Sequence, residues 1–172
     1  MTLNSKLAAA LNEQIGHEFG AKLQYLSIAA YFDVEDLPQL AAFFYRQADE
    51  EDTHAMKFVH YLIDKDAQVE IPALDAPKFT FDKPADTAAL SLEWEKTVTG
   101  QINRLMKMAV DEGDFATQDF LRWFVTEQVE EESTMRTLQQ TFARAGDNIL
   151  WVEDFLARSP LGEPAGGAPA AA

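Results

Sequence analysis

The chain has 172 residues, a length that suits one domain rather than two. Hydrophobic residues make up 47% and charged residues 25%, which allows a large core and excludes wholesale disorder. Acidic residues outnumber basic ones by 29 to 14, a formal net charge of −15, and phosphate neutralisation needs the opposite surplus, so nucleic acid is not an expected partner. The same balance suits cations as ligands, and it also suits plain solubility. There is no cysteine, so disulfides, zinc–thiolate sites, iron–sulfur clusters and thiol catalysis are excluded. No apolar run approaches the roughly 20 residues of a membrane span, and no signal-peptide apolar block opens the chain. The expected location is the cytoplasm, without a membrane partner.

Helical periodicity dominates and predicts an all-α fold, with helices over 5–34, 37–66, 86–113, 115–145 and 148–158. The first two are joined by a few residues around Asp33–Leu37 and should be antiparallel neighbours; Pro38 suits a helix first turn, with Asp36 as the expected cap. The third and fourth meet at Glu112-Gly113-Asp114, where Gly113 closes one helix and Asp114 caps the next. Between the pairs lies a 67–85 linker with Pro72, Pro77 and Pro84. A helix of this size is about 42 Å long and an extended linker of this length reaches about 60 Å. The linker can therefore traverse the bundle and set helices two and three parallel, as in a four-helix bundle with one long crossover. The short fifth helix follows. The domain is read as 1–158, and 159–172, rich in Pro, Gly and Ala, as a disordered tail.

Each long helix carries a stripe with steps of three and four residues. The stripes read Leu7, Leu11, Gln14, Glu18, Ala21, Tyr25, Ile28, Phe32; Leu40, Phe44, Gln47, Glu51, His54, Phe58, Tyr61; Ala88, Leu92, Glu95, Thr99, Ile102, Met106, Ala109; and Thr117, Leu121, Phe124, Gln128, Glu131, Met135, Leu138, Phe142. All four are interrupted near mid-length by cation-binding groups: Glu18, Glu51 with His54, Glu95, and Gln128 with Glu131. At 1.5 Å per residue these six groups converge on one level of one core. Unpaired buried carboxylates cost several kcal/mol each, and no basic residue occupies the central turns of the stripes. Lys22 lies one step off and is expected to reach solvent. A bound dication, or a pair of them, resolves the conflict; a structural polar network is the alternative. Carboxylates with one imidazole and no thiolate suit iron or manganese.

With Gln14-Ile15-Gly16-His17-Glu18, Tyr25, Glu50-Glu51-Asp52-Thr53-His54, Glu95 and the run from Trp123 to Glu132, the sequence resembles the ferritins, specifically the haem-free bacterial type. The resemblance covers residues 1 to about 158. It implies a first iron site of Glu18, Glu51 and His54, and a second that shares Glu51 with Glu95, beside Gln128. It implies a third iron position at Glu50, Glu127, Glu130 and Glu131, and it matches Tyr25 to the family's redox-active tyrosine. The implied activity is ferroxidase: Fe(II) oxidised by O2 or H2O2, with ferric mineral stored in a 24-subunit cage. Bacterioferritins repeat Glu-x-x-His where this chain has Gln128-x-x-Glu131, and place a haem-ligating Met where it has Asp52, so no haem is expected. The positions of the animal three-fold pore acids hold Gln118 and Leu121, which leaves Asp111, Glu112, Asp114 and Asp119 as candidate pore acids. Leu150, Trp151, Phe155 and Leu156 are expected to contact neighbouring subunits. A di-iron or di-manganese oxidase or catalase on the same bundle is the alternative; it would retain its metals through turnover.

Overall fold

A computed structural model describes residues 3–162. It contains α1 (Ser5–Val34), α2 (Pro38–Asp64), α3 (Ala85–Asp111), α4 (Phe115–Ala145) and α5 (Ile149–Arg158), and no strand among the described residues. The expected helices are all present, with ends within about two residues of the periodicity. Residues 163–172 of the expected tail lie outside the described residues. Before them, Leu161 is half-buried against the core.

The helix ends follow from local chemistry, with one exception. Asn4 Oδ1 accepts from the Lys6 and Leu7 amides and caps α1. Gly113 takes φ 65°, and Asp114 caps α4 through the Thr117 amide at 3.1 Å. Asp36 does not cap α2. It adopts φ 56° in the tight turn, and Leu37, which has no capping side chain, occupies the N-cap. The cap arrives from α5: Glu153 accepts from the Gln39 and Leu40 amides at 2.9 and 2.7 Å. A carboxylate at a helix N-terminus is favoured by both the free amides and the dipole.

α1 pairs with α2 and α3 with α4, while α1 packs on α3 between the pairs and α5 closes one end on α2 and α4. The linker makes this arrangement possible by running along α1 in the same direction. Asn12 accepts from the Glu70 amide at 2.7 Å and donates to the Gln68 carbonyl at 3.0 Å. Buried Gln24 exchanges two 2.9 Å bonds with the main chain of Lys78. Two side-chain amides thus satisfy linker backbone groups that an extended strand would otherwise leave unpaired. The linker ends beside the C-terminal half of α1, so α3 starts there and runs parallel to α2.

The core falls into two apolar clusters. One gathers Ile28, Phe32, Leu40, Phe44, Met135 and Leu138; the other gathers Leu7, Leu11, Phe58, Ile102, Leu121 and Phe124. Between them lies a polar layer. The α1 and α4 stripes are buried throughout, and α2 departs only at half-buried Tyr61, whose hydroxyl meets Thr117 at 2.7 Å. α3 departs from its stripe: Val98 and Leu105 are buried, while Thr99 and Met106 are only half-buried. Leu156 is a correction to the expected outward face of α5. It is buried in this chain's own core with Val152, whereas Leu150 stays 68% exposed.

The linker passes so close to Gly16 that a Cβ there would lie 2.3 Å from Pro72 Cγ, a ring carbon that cannot rotate away. Gly100, also within a helix, has nothing within 4 Å of its Cβ position. Glycine to alanine in a helix interior ordinarily gains up to about 1 kcal/mol. Gly100→Ala is therefore expected to raise the urea midpoint slightly, and Gly16→Ala to lower stability by about 1–3 kcal/mol through overpacking. Equilibrium unfolding of the two variants side by side checks the close approach.

Candidate metal centre

The four stripes place Gln14, Glu18, Gln47, Glu51, His54, Glu95, Gln128 and Glu131 in one layer, each at most 5% exposed. Five are titratable, and no lysine or arginine joins them. Lys22 pairs with Asp52 at 2.6 Å at the rim rather than reaching freely into solvent. Lys57 lies over the Trp123 ring, 4.3 Å from its centroid.

The side chains fall into two halves. On the α1–α2 side, Glu18, Glu51 and His54 bring one ligand atom each to within 4.8 Å of one another. Gln14 Nε2 donates to Glu18 Oε1 at 2.9 Å. Glu18 Oε2 and Glu51 Oε2 are buried and have no hydrogen-bond partner. His54 stands between two carboxylates, with Nδ1 3.3 Å from Glu51 Oε2 and Nε2 4.0 Å from Glu127 Oε1. Its ring is set edge-on against Trp123 and Phe124, at centroid distances of 5.4 and 6.0 Å. On the α3–α4 side, the Tyr25 hydroxyl donates to Glu95 Oε1. Gln128 Nε2 donates to the Glu95 carbonyl oxygen and to Glu95 Oε2, both at 3.2 Å.

The electrostatics follow from burial without counter-charge. Burial pushes the Glu18 carboxyl up to about 7, with the neighbouring Glu51 carboxyl and the Gln14 bond opposing the shift and Glu95 adding repulsion. Burial, then repulsion from Glu95 and Glu18, holds Glu51 well above the carboxylate range. Glu131 is raised in the same way, by burial and by Glu95 and Glu50. Glu95 is raised by burial, against the bonds from Tyr25 and Gln128. The Tyr25 phenol is also raised, by burial and by Glu95, so it stays a donor. His54 is lowered to about 4 by burial and Lys57, which leaves a neutral imidazole free to ligate. Without a counter-cation these carboxyls favour their protonated form, and the buried oxygens of Glu18 and Glu51 that accept no hydrogen bond suit a cation better than a closed polar network does.

A ferritin-like domain matches residues 8–145. Ferritin BfrB of Mycobacterium tuberculosis is 49% identical over 169 residues, 98% of this chain and 93% of that protein. The bacterial non-heme ferritin of Staphylococcus aureus is 40% identical over 146 residues, 85% and 88% of the two chains. An open pore ferritin from the archaeon Archaeoglobus fulgidus superposes with a TM-score of 0.88 at 32% identity, over 91% of this chain and 97% of that one.

The chain belongs to the ferritin family. This membership supports an iron-storage role.

Within this ferritin the structure brings the six expected core groups into the layer. The residues read as a third iron position are distributed differently. Glu127 and Glu131 form a second group of ligand atoms with His54, also within 4.8 Å. Glu50 is half-buried, receives the Gln47 amide, and is pushed up to about 7 by burial and by Glu127. Glu130 is exposed and belongs to neither group. Of the pore positions, Leu121 is fully buried and Gln118 donates to the Ala109 carbonyl. Asp111 pairs with Lys107, and Asp114 is committed to its cap. Gln47 was read only as a stripe position; its Oε1 is the third buried atom without a partner. No helix among the described residues is long and apolar enough to cross a membrane.

An acid whose folded pKa is raised stabilises the fold fully below its unfolded value and loses that stabilisation as pH climbs through the folded one. Glu18 and Glu50 place this loss between about 4.5 and 7, and Glu51 and Glu131 act in the same sense. His54, lowered from 6.5 to about 4, acts oppositely over an overlapping window. The carboxyls outnumber it. Metal-free protein in chelator is therefore expected to show a lower urea midpoint at pH 8 than at pH 5.5, and added divalent metal should raise the midpoint more at pH 8.

Proposed function

We propose that this ferritin is a ferroxidase subunit that oxidises Fe(II) at its internal layer and stores the ferric product. The observation that carries this reading is the pair of buried oxygens on Glu18 and Glu51 that accept no hydrogen bond, beside a neutral His54, with no buried lysine or arginine in the layer among the described residues. Iron is the substrate. Glu18, Glu51 and His54 would hold one Fe(II), and Glu51 with Glu95, flanked by Gln128 and Glu131, would hold the other. Each Fe(II) gives up one electron, and O2 or H2O2 takes the pair. The protein acts as a template that holds two metals close together and offsets their charge with carboxylates. Metal entry displaces the protons on the raised carboxyls.

Glu127 and Glu131, with Glu50 close by, offer a further iron position towards the α2–α4 surface, and Glu130 lies at its exposed margin. Tyr25, hydrogen-bonded to Glu95, is positioned as an electron donor of the site. Haem is not part of this reading: Asp52 replaces the thioether that haem would need and is engaged by Lys22. The exposed α5 residues Leu150 and Trp151 suit contact with neighbouring subunits, as in a 24-subunit cage. The acidic balance would concentrate Fe(II) around such an assembly in the cytoplasm.

The Glu18→Ala/His54→Ala double variant is expected to lose fast aerobic oxidation of added Fe(II) by about a hundredfold. Stopped-flow absorbance of the ferric product reads this, and an unchanged rate would sink the site assignment. Iron retained after gel filtration separates the role from that of an oxidase or catalase. A large excess over the site residues' capacity, in a particle far heavier than one chain, is expected for storage. A stoichiometric complement that survives turnover would mark a resident cofactor.

A further inference from the structure

The second half of the layer depends on a neutral side chain whose two ends have opposite chemistry. Gln128 can offer a cation its carbonyl oxygen; turned over, it would present an amino group, which cannot ligate. On one side the Gln128 Nε2 atom faces the Glu95 carbonyl oxygen at 3.2 Å and Thr99 Oγ1 at 3.5 Å. A main-chain carbonyl only accepts. A threonine hydroxyl can do either, so its behaviour depends on where its one proton goes. Thr99 donates that proton to Glu132 Oε1 at 2.7 Å, and Glu132 Oε2 accepts from Arg136 at 3.3 Å.

We propose that Thr99 and Glu132 are positioning residues for the second metal, an inference that rests on the iron reading above. Glu132 draws the Thr99 proton outward. The Thr99 lone pair then faces Gln128 and joins the Glu95 carbonyl and Glu95 Oε2, both at 3.2 Å, in holding Nε2 on that side, which leaves Oε1 as the amide atom able to bind a cation. Arg136 holds Glu132 in place from the surface. Glu132 lies in neither group of gathered ligand atoms, so its part is to fix the polarity of a ligand it does not touch. Thr99 shares the stripe with Glu95, but its half-burial marks it as a bridge from layer to surface rather than as packing.

Anaerobic titration with Co(II) tests this without relying on catalysis, because the visible ligand-field bands report the coordination of each equivalent. In Thr99→Val, which keeps the shape and removes the lone pair, the equivalent bound at Glu95 and Gln128 is expected to weaken about tenfold while the one bound by His54 keeps its affinity. Thr99→Ser should restore the wild-type titration. Glu132→Gln, a change at the rim, should weaken the same equivalent with the core left whole, since the new amide can donate to Thr99 and turn its proton towards Gln128. Equal affinities in wild-type and Thr99→Val protein, or equal weakening of both equivalents, would overturn the inference. A wild-type protein that takes up no Co(II) in this layer would overturn the iron reading itself, and the inference with it.

Discussion

The structure turns on an excess of negative charge held where water cannot reach it. Glu18, Glu51, Glu95 and Glu131 share one level of the core; no lysine or arginine is buried there among the described residues, and Lys22 and Lys57 stand at its rim. In an apolar interior such an arrangement persists only if a positive species enters with it. Protonation of the raised carboxyls can answer this need, and on the proposed reading a dication would answer it better, because one ion would serve several carboxylates at once. Stability and cation binding are therefore two readings of the same free energy. Two apolar clusters flank the layer and join the helices on either side of it.

The crossover linker gives the layer its internal symmetry. Because α2 and α3 run parallel, the α1–α2 and α3–α4 hairpins face each other as approximate copies, with Glu18 opposite Glu95 and Glu51-x-x-His54 opposite Gln128-x-x-Glu131. A short connection would have made α2 and α3 antiparallel and lost this correspondence. Asn12 and Gln24 satisfy the Gln68 carbonyl, the Glu70 amide and both main-chain groups of Lys78, and the linker is seated against Gly16 through Pro72.

Much of this was legible in the sequence because the information is periodic. A helix repeats every 3.6 residues, so a carboxylate in an apolar stripe must face the core, and four such interruptions at matching heights must meet. The family resemblance then assigned the residues to particular iron positions, which periodicity alone could not do. What escaped was non-local or directional. Glu153 caps a helix more than a hundred residues earlier in the chain, whereas Asp36, the local candidate, is held in a left-handed turn. Leu156 looked like an outward contact because a ten-residue helix shows too few turns to define its buried side. On α3 Val98 is buried and Thr99 lies at the edge, a shift smaller than the step of the stripe. The direction of an amide such as that of Gln128 has no signature in a sequence at all, since it depends on what stands at each end.

The two halves of the layer carry equal formal charge but offer different donors. With His54 neutral, Glu18 and Glu51 supply two carboxylates and one imidazole nitrogen. Glu95 and Glu131 supply two carboxylates and, through Gln128, one amide oxygen. A nitrogen donor favours the later divalent metals more than an amide oxygen does, so the first half should hold its ion more tightly although the charges match. The outer carboxylate Glu127 reaches towards the far nitrogen of His54, and Glu131 belongs both to this outer group and to the layer. On the proposed reading, a metal at the second half would have these carboxylates on its outward side. On that reading, product must leave before the next pair of ions can enter, and what would distinguish the two halves is donor type rather than charge.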